Sequence, residues 1–376
     1  MQRTGIGWLS WDLTHSASWV GAIALAQYLP LIIFGPIFGV MLDRSDHRRY
    51  AMLVQSTLCV LGLALFALQH LRLLNAYVLL GVCLVLGFAN CAYQTVRLTL
   101  VYDVVPRELL TQAIGTNSML FNTSRLLGPA LGGIAIASLG VASTFLICAV
   151  TYMANVVGLS SLSVRNSPRR EHTGSLMTQF AEGLRYTLEN PLVRELLLLS
   201  VITATMARGV LELLPAFAGG EFGGGSGALA MLMAAAGAGA IVAGYLLSRA
   251  HEDKLPVLVR HGCTWSGALV SIFGSITFLS GAVVAIVALG TLVTLSSVGL
   301  QAILQAKIDN NYRGRVVGFW GVTNVAGPSV GGAVLGGIAH FAGLRTATFG
   351  SGVLCALLCY VVMRRSSQFS RVPVTQ

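Results

Sequence analysis

Charged side chains inside long apolar segments limit the chemistry that the chain can perform, and those that stand out are Arg97, Arg125, Arg208 and Glu212. A charge in an apolar medium is costly, so such residues face a partner, a water-filled cavity or a ligand. Arg208 and Glu212 are four residues apart and share a helix face, which suits either a structural ion pair or a substrate or proton site. No acidic residue lies within one helical turn of Arg125, which favours a functional role there.

Polar residues on other predicted helices can complete a cavity around these charges. Gln94, Asn117 and Asn122 lie in the first half of the chain, and Trp320 and Asn324 lie in the second. We expect them to line a binding site for a small molecule. Several of them can equally form hydrogen bonds between helices, and the sequence leaves both interpretations open.

The motifs that covalent or phosphoryl chemistry requires are missing from the sequence. Neither Lys254 nor Lys307 has the glycine-rich spacing of a phosphate-binding loop. The run 251–253 is His-Glu-Asp, but no other His or Cys lies near it, which favours a solvated turn over a metal site. All seven cysteines lie in apolar segments without metal-ligand spacing. We therefore expect no catalytic residue, metal or cofactor, and a protein that is not an enzyme.

The composition is that of a polytopic membrane protein. Hydrophobic residues make up 55% of the 376 positions and charged residues only 10%, and apolar runs long enough to cross a bilayer recur along the chain. A net charge of +10 would suggest a nucleic-acid partner for a soluble protein. Here the arginines lie in short loops between apolar runs, so we expect the charge to set membrane topology, with no nucleic-acid partner.

The chain contains about eleven predicted full spans. Residues 1–13 are too short to cross a bilayer and align with residues 206–218 of the second half. We expect them to be the outer half of a first helix that starts upstream of Met1; the alternative is a truncated protein of eleven spans. One full span is the fifth helix, which carries residues 117–133. The others are predicted at residues 17–42, 50–69, 76–101, 141–164, 192–217, 227–248, 257–279, 282–305, 316–341 and 344–363.

The only extended polar segment divides these spans into two halves. Residues 1–164 are predicted to form an N-terminal helix bundle, 165–190 a cytoplasmic linker, 191–363 a C-terminal bundle and 364–376 a cytoplasmic tail. A glycine-rich motif beginning at Gly128 recurs 204 positions later, at Gly332, so the halves form a parallel repeat.

Charge and periodicity orient the chain in the membrane. Only Arg72 and Arg345 fall on the outer side when the loop near residue 43 is placed inside, so the linker and the C-terminus are expected to be cytoplasmic. In the linker, apolar residues recur every four positions, which predicts an amphipathic helix on the cytoplasmic membrane face or against the bundle. These residues are Leu176, Phe180, Leu184 and Leu188.

A dense charged hairpin joins the span that ends near residue 42 to the span that begins near residue 50. It contains Gly39, Asp43 and Arg44, followed by the paired Arg48 and Arg49. This spacing resembles the signature loop between the second and third helices of the major facilitator superfamily. Asp46 departs from the pattern, since many members carry glycine at that position.

The resemblance implies an inner gate and a proton-coupled fold. In the superfamily the hairpin acts as a latch, so Asp43 is expected to pair with Arg97 or to face the start of the eleventh helix, where Gly314 permits close approach. Residues of the fifth helix resemble the core of a motif found in proton antiporters, although Ser124 replaces a usual glycine. These motif residues are Gly128, Pro129, Gly132 and Gly133.

Within the superfamily the chain resembles the bacterial efflux branch that contains the enterobactin exporter and macrolide efflux proteins. This resemblance implies two six-helix bundles in a bacterial cytoplasmic membrane, exporting a small amphipathic drug or siderophore by alternating access with proton antiport. We expect a monomer whose partners are the lipid bilayer, the substrate and protons. The alternative is a membrane sensor or assembly partner on the same fold that transports nothing.

Overall fold

The computed structural model describes residues 1–34, 46–106, 109–162, 176–250, 254–309 and 312–365. Within these ranges the chain is helical and contains no strand, and nine helical stretches are long and apolar enough to cross a bilayer. The two remaining predicted spans, the fifth helix and residues 257–279, also fall on helices. The predicted all-α polytopic membrane fold is therefore confirmed.

The helices follow the apolar segments closely, and their ends differ from the predicted bounds by a few residues. In chain order they are α1 Gln2–Thr14, α2 Ala17–Ala26, α3 His47–His70, α4 Ala76–Val104, α5 Leu110–Leu139, α6 Val141–Ser160, α7 Leu176–Glu189, α8 Pro191–Ile202, α9 Gly209–Glu212, α10 Leu214–Ala216, α11 Gly225–Arg249, α12 Leu255–Ser275, α13 Leu279–Lys307, α14 Arg313–Ala342 and α15 Leu344–Arg365. Side-chain hydrogen bonds cap the N-termini of several helices. The Asn75 side chain accepts from a backbone N–H group at the start of α4, and the Asn190 side chain does so at the start of α8.

The first compact unit comprises Met1–Thr14 and Ala26–Thr173. In it α3 packs along α6, and α1 packs against α5 and α6. Small residues permit these contacts. A Cβ added at Gly132 of α5 would lie 3.0 Å from the Cα of Met1, and one added at Gly62 of α3 would lie 3.3 Å from the Cβ of Ala149. Gly132, predicted as part of the antiporter motif, thus lies at a tight helix contact.

The second compact unit comprises His15–Leu25 and Gly174–Gln376. Its main helix pairs are α11 with α13 and α12 with α15. The short segment that contains α2 packs on α14, where the Ser18 hydroxyl donates to the carbonyl oxygen of Gly336 at 2.9 Å. The sequence places this segment in the N-terminal bundle of residues 1–164. The division of the chain into bundles at that boundary remains a prediction.

The seventh membrane segment is not one regular helix. Between Pro191 and Glu221 the α-helical hydrogen bonding is interrupted by two π-helical segments, Thr203–Ala207 and Phe217–Glu221. The apolar pattern of the sequence predicts one continuous span here and gives no sign of the interruption. Single π turns inside α-helices occur frequently at functional sites, and the residue directly after the first one is Arg208.

Candidate functional site

The first π segment positions Arg208. The backbone N–H of Arg208 donates to the carbonyl oxygen of Thr203 at 3.0 Å, five residues earlier instead of four. The extra residue in this turn rotates the next part of the segment relative to α8, and the short helix α9 begins directly after Arg208. The local backbone therefore determines the direction in which the guanidinium points.

The guanidinium of Arg208 meets the amide of Asn324 on α14. Arg208 Nη1 donates to Asn324 Oδ1, and Asn324 Nδ2 donates to the hydroxyl of Ser297 on α13 at 2.8 Å. Asn324 is only 2% exposed, so both ends of its amide need partners, and both have them. Arg208 and Asn324 were both predicted as cavity residues, and the structure joins them. Ser297 was missed; the signal available was a pair of adjacent serines inside an apolar span.

Close backbone contact holds α9 against α14. A Cβ added at Gly209 would lie 2.9 Å from the Cα of Gly331, and one added at Gly332 would lie 2.8 Å from the Cβ of Glu212. A Cβ at Gly331 would overlap the carbonyl oxygen of Thr205. The glycines of α14 thus allow both predicted charged residues of the seventh segment to lie at this helix contact.

Trp320 adds an unused hydrogen-bond donor one turn before Asn324. Its indole Nε1 is buried and has no acceptor among the residues that the structure describes. Residues four apart on a helix share a face, so Trp320 and Asn324 lie on the same side of α14. A buried donor without an acceptor costs free energy, which a ligand oxygen can recover.

In the first unit, Asn117 lines a groove between α4 and α5. The groove is wide open and has a volume of about 440 Å³. Gln94 is partly buried on α4. The side chains of Asn122 and Arg125 lie outside the described part of the chain, so their predicted roles remain predictions. The residues that line the groove are Val101, Val105, Leu109, Gln112, Ala113, Thr116, Asn117 and Leu120.

The part of the charged hairpin that the structure describes forms the N-terminus of α3. The Asp46 carboxylate caps α3 by accepting from the backbone N–H groups of Arg48 and Arg49, at 3.0 and 3.1 Å. Arg48 reaches the end of α6, where its Nε donates to the carbonyl oxygen of Leu159 at 2.8 Å and its Nη2 to that of Ser160. A guanidinium at a helix C-terminus satisfies free carbonyls and interacts favourably with the helix dipole. Asp46 departs from the family pattern, and its role as the cap of α3 is a structural reason for an aspartate at this position.

The structure describes only some of the other predicted gate residues. Gly39, Asp43 and Arg44 lie outside the described residues. Arg97 is partly buried on α4, and Gly314 lies in the first turn of α14. The latch contact predicted for Asp43 therefore remains a prediction.

A second contact at the hairpin was missed in the sequence. His47 Nδ1 lies 2.5 Å from the Oδ2 of Asp103, a buried carboxylate at the end of α4. This contact joins the start of α3 to the end of α4 within the first unit. The signal available was an acidic residue in the last turn of a long apolar helix, where the helix dipole disfavours negative charge unless a partner is present.

Neither unit shows an arrangement for metal chemistry in its described residues. Among these residues no group of three His, Cys, Asp or Glu side chains could hold a metal ion. The cysteines are free thiols, and six of the seven are buried.

Comparison with known proteins agrees with this architecture. The sequence profile of the transmembrane secretion effector family, a branch of the major facilitator superfamily, matches residues 1–374. The chain is 29% identical over 374 residues to the enterobactin exporter EntS of Salmonella typhi, covering 96% of this chain and 87% of that protein. It is 28% identical over 361 residues to the enterobactin exporter EntS of Escherichia coli O1:K1 / APEC, covering 93% of this chain and 85% of that protein.

Solved transporter structures share the fold. A bacterial homologue of the human lysosomal transporter Spinster, in an inward-facing and unoccupied conformation, has a TM-score of 0.68 at 15% identity over 99% of this chain and 95% of that one. The nucleoside transporter NupG has a TM-score of 0.65 at 13% identity over 96% of this chain and 96% of that one. The family and these relatives are transporters, not enzymes.

Proposed function

Because the chain belongs to the transmembrane secretion effector family of the major facilitator superfamily, we propose that it exports a small amphipathic molecule by alternating access, driven by proton antiport. It is a multi-pass membrane transporter. The similarity to enterobactin exporters over 96% of the chain supports export from a bacterial cytoplasm across the inner membrane. A siderophore or a drug of similar size fits this proposal, and the C-terminus is proposed to be cytoplasmic.

The contact between Arg208 and Asn324 is the observation that carries the proposal. The partly buried guanidinium of Arg208 has an acceptor in Asn324, an uncharged side chain. An acidic group of a substrate gains Coulomb energy beside a guanidinium. Trp320, one turn away, offers an aromatic face and a donor that no described residue accepts. The set suits an aromatic or amphipathic anion.

Each residue of the site then has a role in transport. Arg208 binds the acidic group of the substrate, Trp320 contacts its apolar body, and Asn324 with Ser297 holds Arg208 in position. Glu212 accepts and releases the coupling proton, because it is the acidic residue four positions from Arg208 and protonation would change the balance of charge between them. In the first unit, Arg125 with Gln94, Asn117 and Asn122 is proposed to line the rest of the substrate path.

The hairpin is proposed to close the cytoplasmic side. Asp43 pairs with Arg97 or with the start of α14 near Gly314, and this contact is present only when the inner side is closed. Asp46 and Arg48 hold the base of the hairpin on α3 and α6, so that the latch moves with the first unit. The motif Gly128-Pro129 with Gly132 and Gly133 is proposed to let α5 pack closely while it bends.

Export can be tested with two probes, enterobactin and a fluorescent cationic dye. The chain is expressed in a bacterial host that lacks its own enterobactin exporter, and release of each probe into the medium is measured with and without an uncoupler. We expect the chain to restore release of enterobactin in an uncoupler-sensitive way. An Arg208→Gln variant should lose this activity while remaining in the membrane, and Arg185→Gln, an exposed arginine on α7, serves as the matched control. Release of neither probe by the intact chain would contradict export, and release of the cationic dye alone would contradict an anion-binding role for Arg208.

A further inference from the structure

The internal repeat gives the first unit an arginine of its own at the position of Arg208. Residues 1–13 align with residues 206–218, so Arg3 on α1 corresponds to Arg208. Parallel repeats place corresponding residues at corresponding points of their bundles. The acidic residue is not repeated, because Gly7 stands where the second half has Glu212. Arg3 thus has no acidic residue one turn away on its own helix.

The guanidinium of Arg3 lies on the ring of Tyr28. Its Cζ is 4.7 Å from the ring centroid, and its Nη1 donates to the Tyr28 hydroxyl at 3.1 Å. The electrons of an aromatic face attract a cation, and the hydrogen bond uses one of the five N–H donors of the guanidinium. A phenol has no formal negative charge, so this contact positions the guanidinium without neutralising it.

A break in the second membrane segment fixes the position of Tyr28. The residue lies in a turn between α2 and the helical residues 29–34, and Pro30 has no N–H to offer the preceding turn. The break packs on α4, where a Cβ added at Gly87 would lie 2.9 Å from the carbonyl oxygen of Gln27 and 2.9 Å from the Cγ of Pro30. The backbone therefore determines where the phenol meets Arg3, much as the π turn does for Arg208.

The neighbour of Arg3 on α1 adds a second donor. The hydroxyl of Tyr152 on α6 donates to Gln2 Oε1 at 2.7 Å, which fixes the side-chain amide. The other end of that amide, Nε2, is buried and has no acceptor among the residues that the structure describes. Tyr28 and Tyr93 lie within electrostatic range of the Tyr152 phenol, so the two contacts of α1 belong to one cluster. A ligand oxygen can recover the free energy that the unused donor costs.

Donors dominate this cluster, and its described residues carry no negative charge. The cluster offers a guanidinium, an amide NH2 group, phenol hydroxyls and aromatic faces. The acidic side chains that the structure describes in this unit lie elsewhere: they are Asp12, exposed near the end of α1, Asp46, the cap of α3, and Asp103, the partner of His47. Such a cluster disfavours cations and suits an aromatic ligand with negative charge and several acceptor oxygens.

We propose that Arg3, Tyr28 and Gln2 form a second binding site for an aromatic anion, within the first unit. Arg3 binds the acidic group, Tyr28 holds the guanidinium and contacts the aromatic ring, and Gln2 Nε2 donates to a further oxygen. The natural ligand follows from the proposed function, on which this site rests: it is the exported molecule itself. Each unit then offers its own arginine to an acidic group of that molecule.

The test uses two small probes that share a hydroxylated ring and differ in charge, the anion salicylate and the neutral salicylamide. Their affinities are measured on the purified full chain in an Arg208→Gln background, which removes the arginine of the second unit. Arg3→Gln is then added to that background. Arg72→Gln, at an exposed arginine of the same unit, is the matched control. Thermal unfolding of each variant verifies that it is folded.

We expect the background protein to bind salicylate at least about tenfold more tightly than salicylamide, because hydrogen bonds to a charged group are the stronger ones. Arg3→Gln should abolish this preference and leave salicylamide binding nearly unchanged, whereas Arg72→Gln should keep the preference. A purely structural role of Arg3 would weaken both probes equally. That result, the absence of any preference in the background protein, or its survival in Arg3→Gln would overturn the proposal.

A second measurement needs no substitution at Arg3. Photoactivated azidosalicylate should label peptides from residues 1–34 or 141–160 of the background protein, and excess salicylate should prevent the labelling. Labelling confined to residues 176–365 would overturn the proposal. Neither experiment measures transport, so a failed binding test leaves export untouched, and a failed export assay leaves the measured binding untouched.

Discussion

Replacing Asn324 by Asp tests whether Arg208 binds an acidic substrate group. The new carboxylate would take the place of Oδ1, which already accepts from Arg208, so the hydrogen bond is kept and becomes charge-assisted. The neighbouring guanidinium keeps this carboxylate ionised. The second carboxylate oxygen takes the place of Nδ2, so the Ser297 hydroxyl must turn to donate to it instead of accepting. With that turn both contacts of position 324 are kept, and the charge of the site changes.

The size of the effect is given by Coulomb's law. A substrate anion bound beside Arg208 would lie about 4 to 6 Å from the new carboxylate, and at an effective dielectric constant of about 20 the repulsion is about 3 kcal/mol. Since about 1.4 kcal/mol corresponds to a tenfold change in affinity, we expect binding to weaken roughly 100-fold. The thermal midpoint in detergent should stay the same or rise.

The assay is equilibrium binding of enterobactin to purified protein, with thermal unfolding measured on the same samples. Asn324→Leu is the first control, because it removes both amide hydrogen bonds and should lower the thermal midpoint. Ser297→Ala is the second, because it removes one neutral hydrogen bond, worth about 1 kcal/mol, and should leave affinity nearly unchanged. Wild-type affinity in a folded Asn324→Asp variant would refute the assignment of Arg208 as the residue that binds the anion.

Three further predictions concern the gate, the topology and the packing of α14. Asp43→Asn should abolish export while the protein stays in the membrane, because removing one partner of the proposed charge pair costs about 2 to 5 kcal/mol; wild-type export by this variant would refute the latch. Cysteines placed at Ser45 and Ser167 in a cysteine-free background should resist an impermeant thiol reagent added to intact cells, and labelling of both would contradict the predicted topology. Gly331→Ala should greatly reduce the amount of folded protein in the membrane, because the added Cβ would overlap the carbonyl oxygen of Thr205. Gly337→Ala is the control, because a Cβ there meets nothing within 4 Å. Equal loss of folded protein in both variants would contradict the close contact between α9 and α14.

The sequence alone determined the class of protein and its linear organisation. Apolar runs of span length and a low content of charge require a membrane environment, whatever the helices contact, so the spans could be predicted from composition and length. The spacing of Gly39, Asp43 and Arg44 was enough to point to the superfamily, and the family profile confirms that membership. Arg208 and Asn324, which meet at the candidate site, could be predicted as site residues because polar groups are costly within a span.

Tertiary structure decided which of those residues meet. The contact of Arg208 with Asn324 crosses from the seventh segment to α14, which periodicity along one helix cannot predict, and it depends on a π turn that leaves no trace in hydropathy. Ser297 and the pair His47 with Asp103 were missed for the same reason, since each contact joins different helices. On α7 the sequence identified the apolar face that carries Leu184 and Leu188, but only the packing of Tyr186 on Tyr312 showed that a different face is docked. A one-dimensional pattern shows which side chains share a face, whereas the choice of partner depends on how close two backbones come, and here small residues such as Gly331 set that distance.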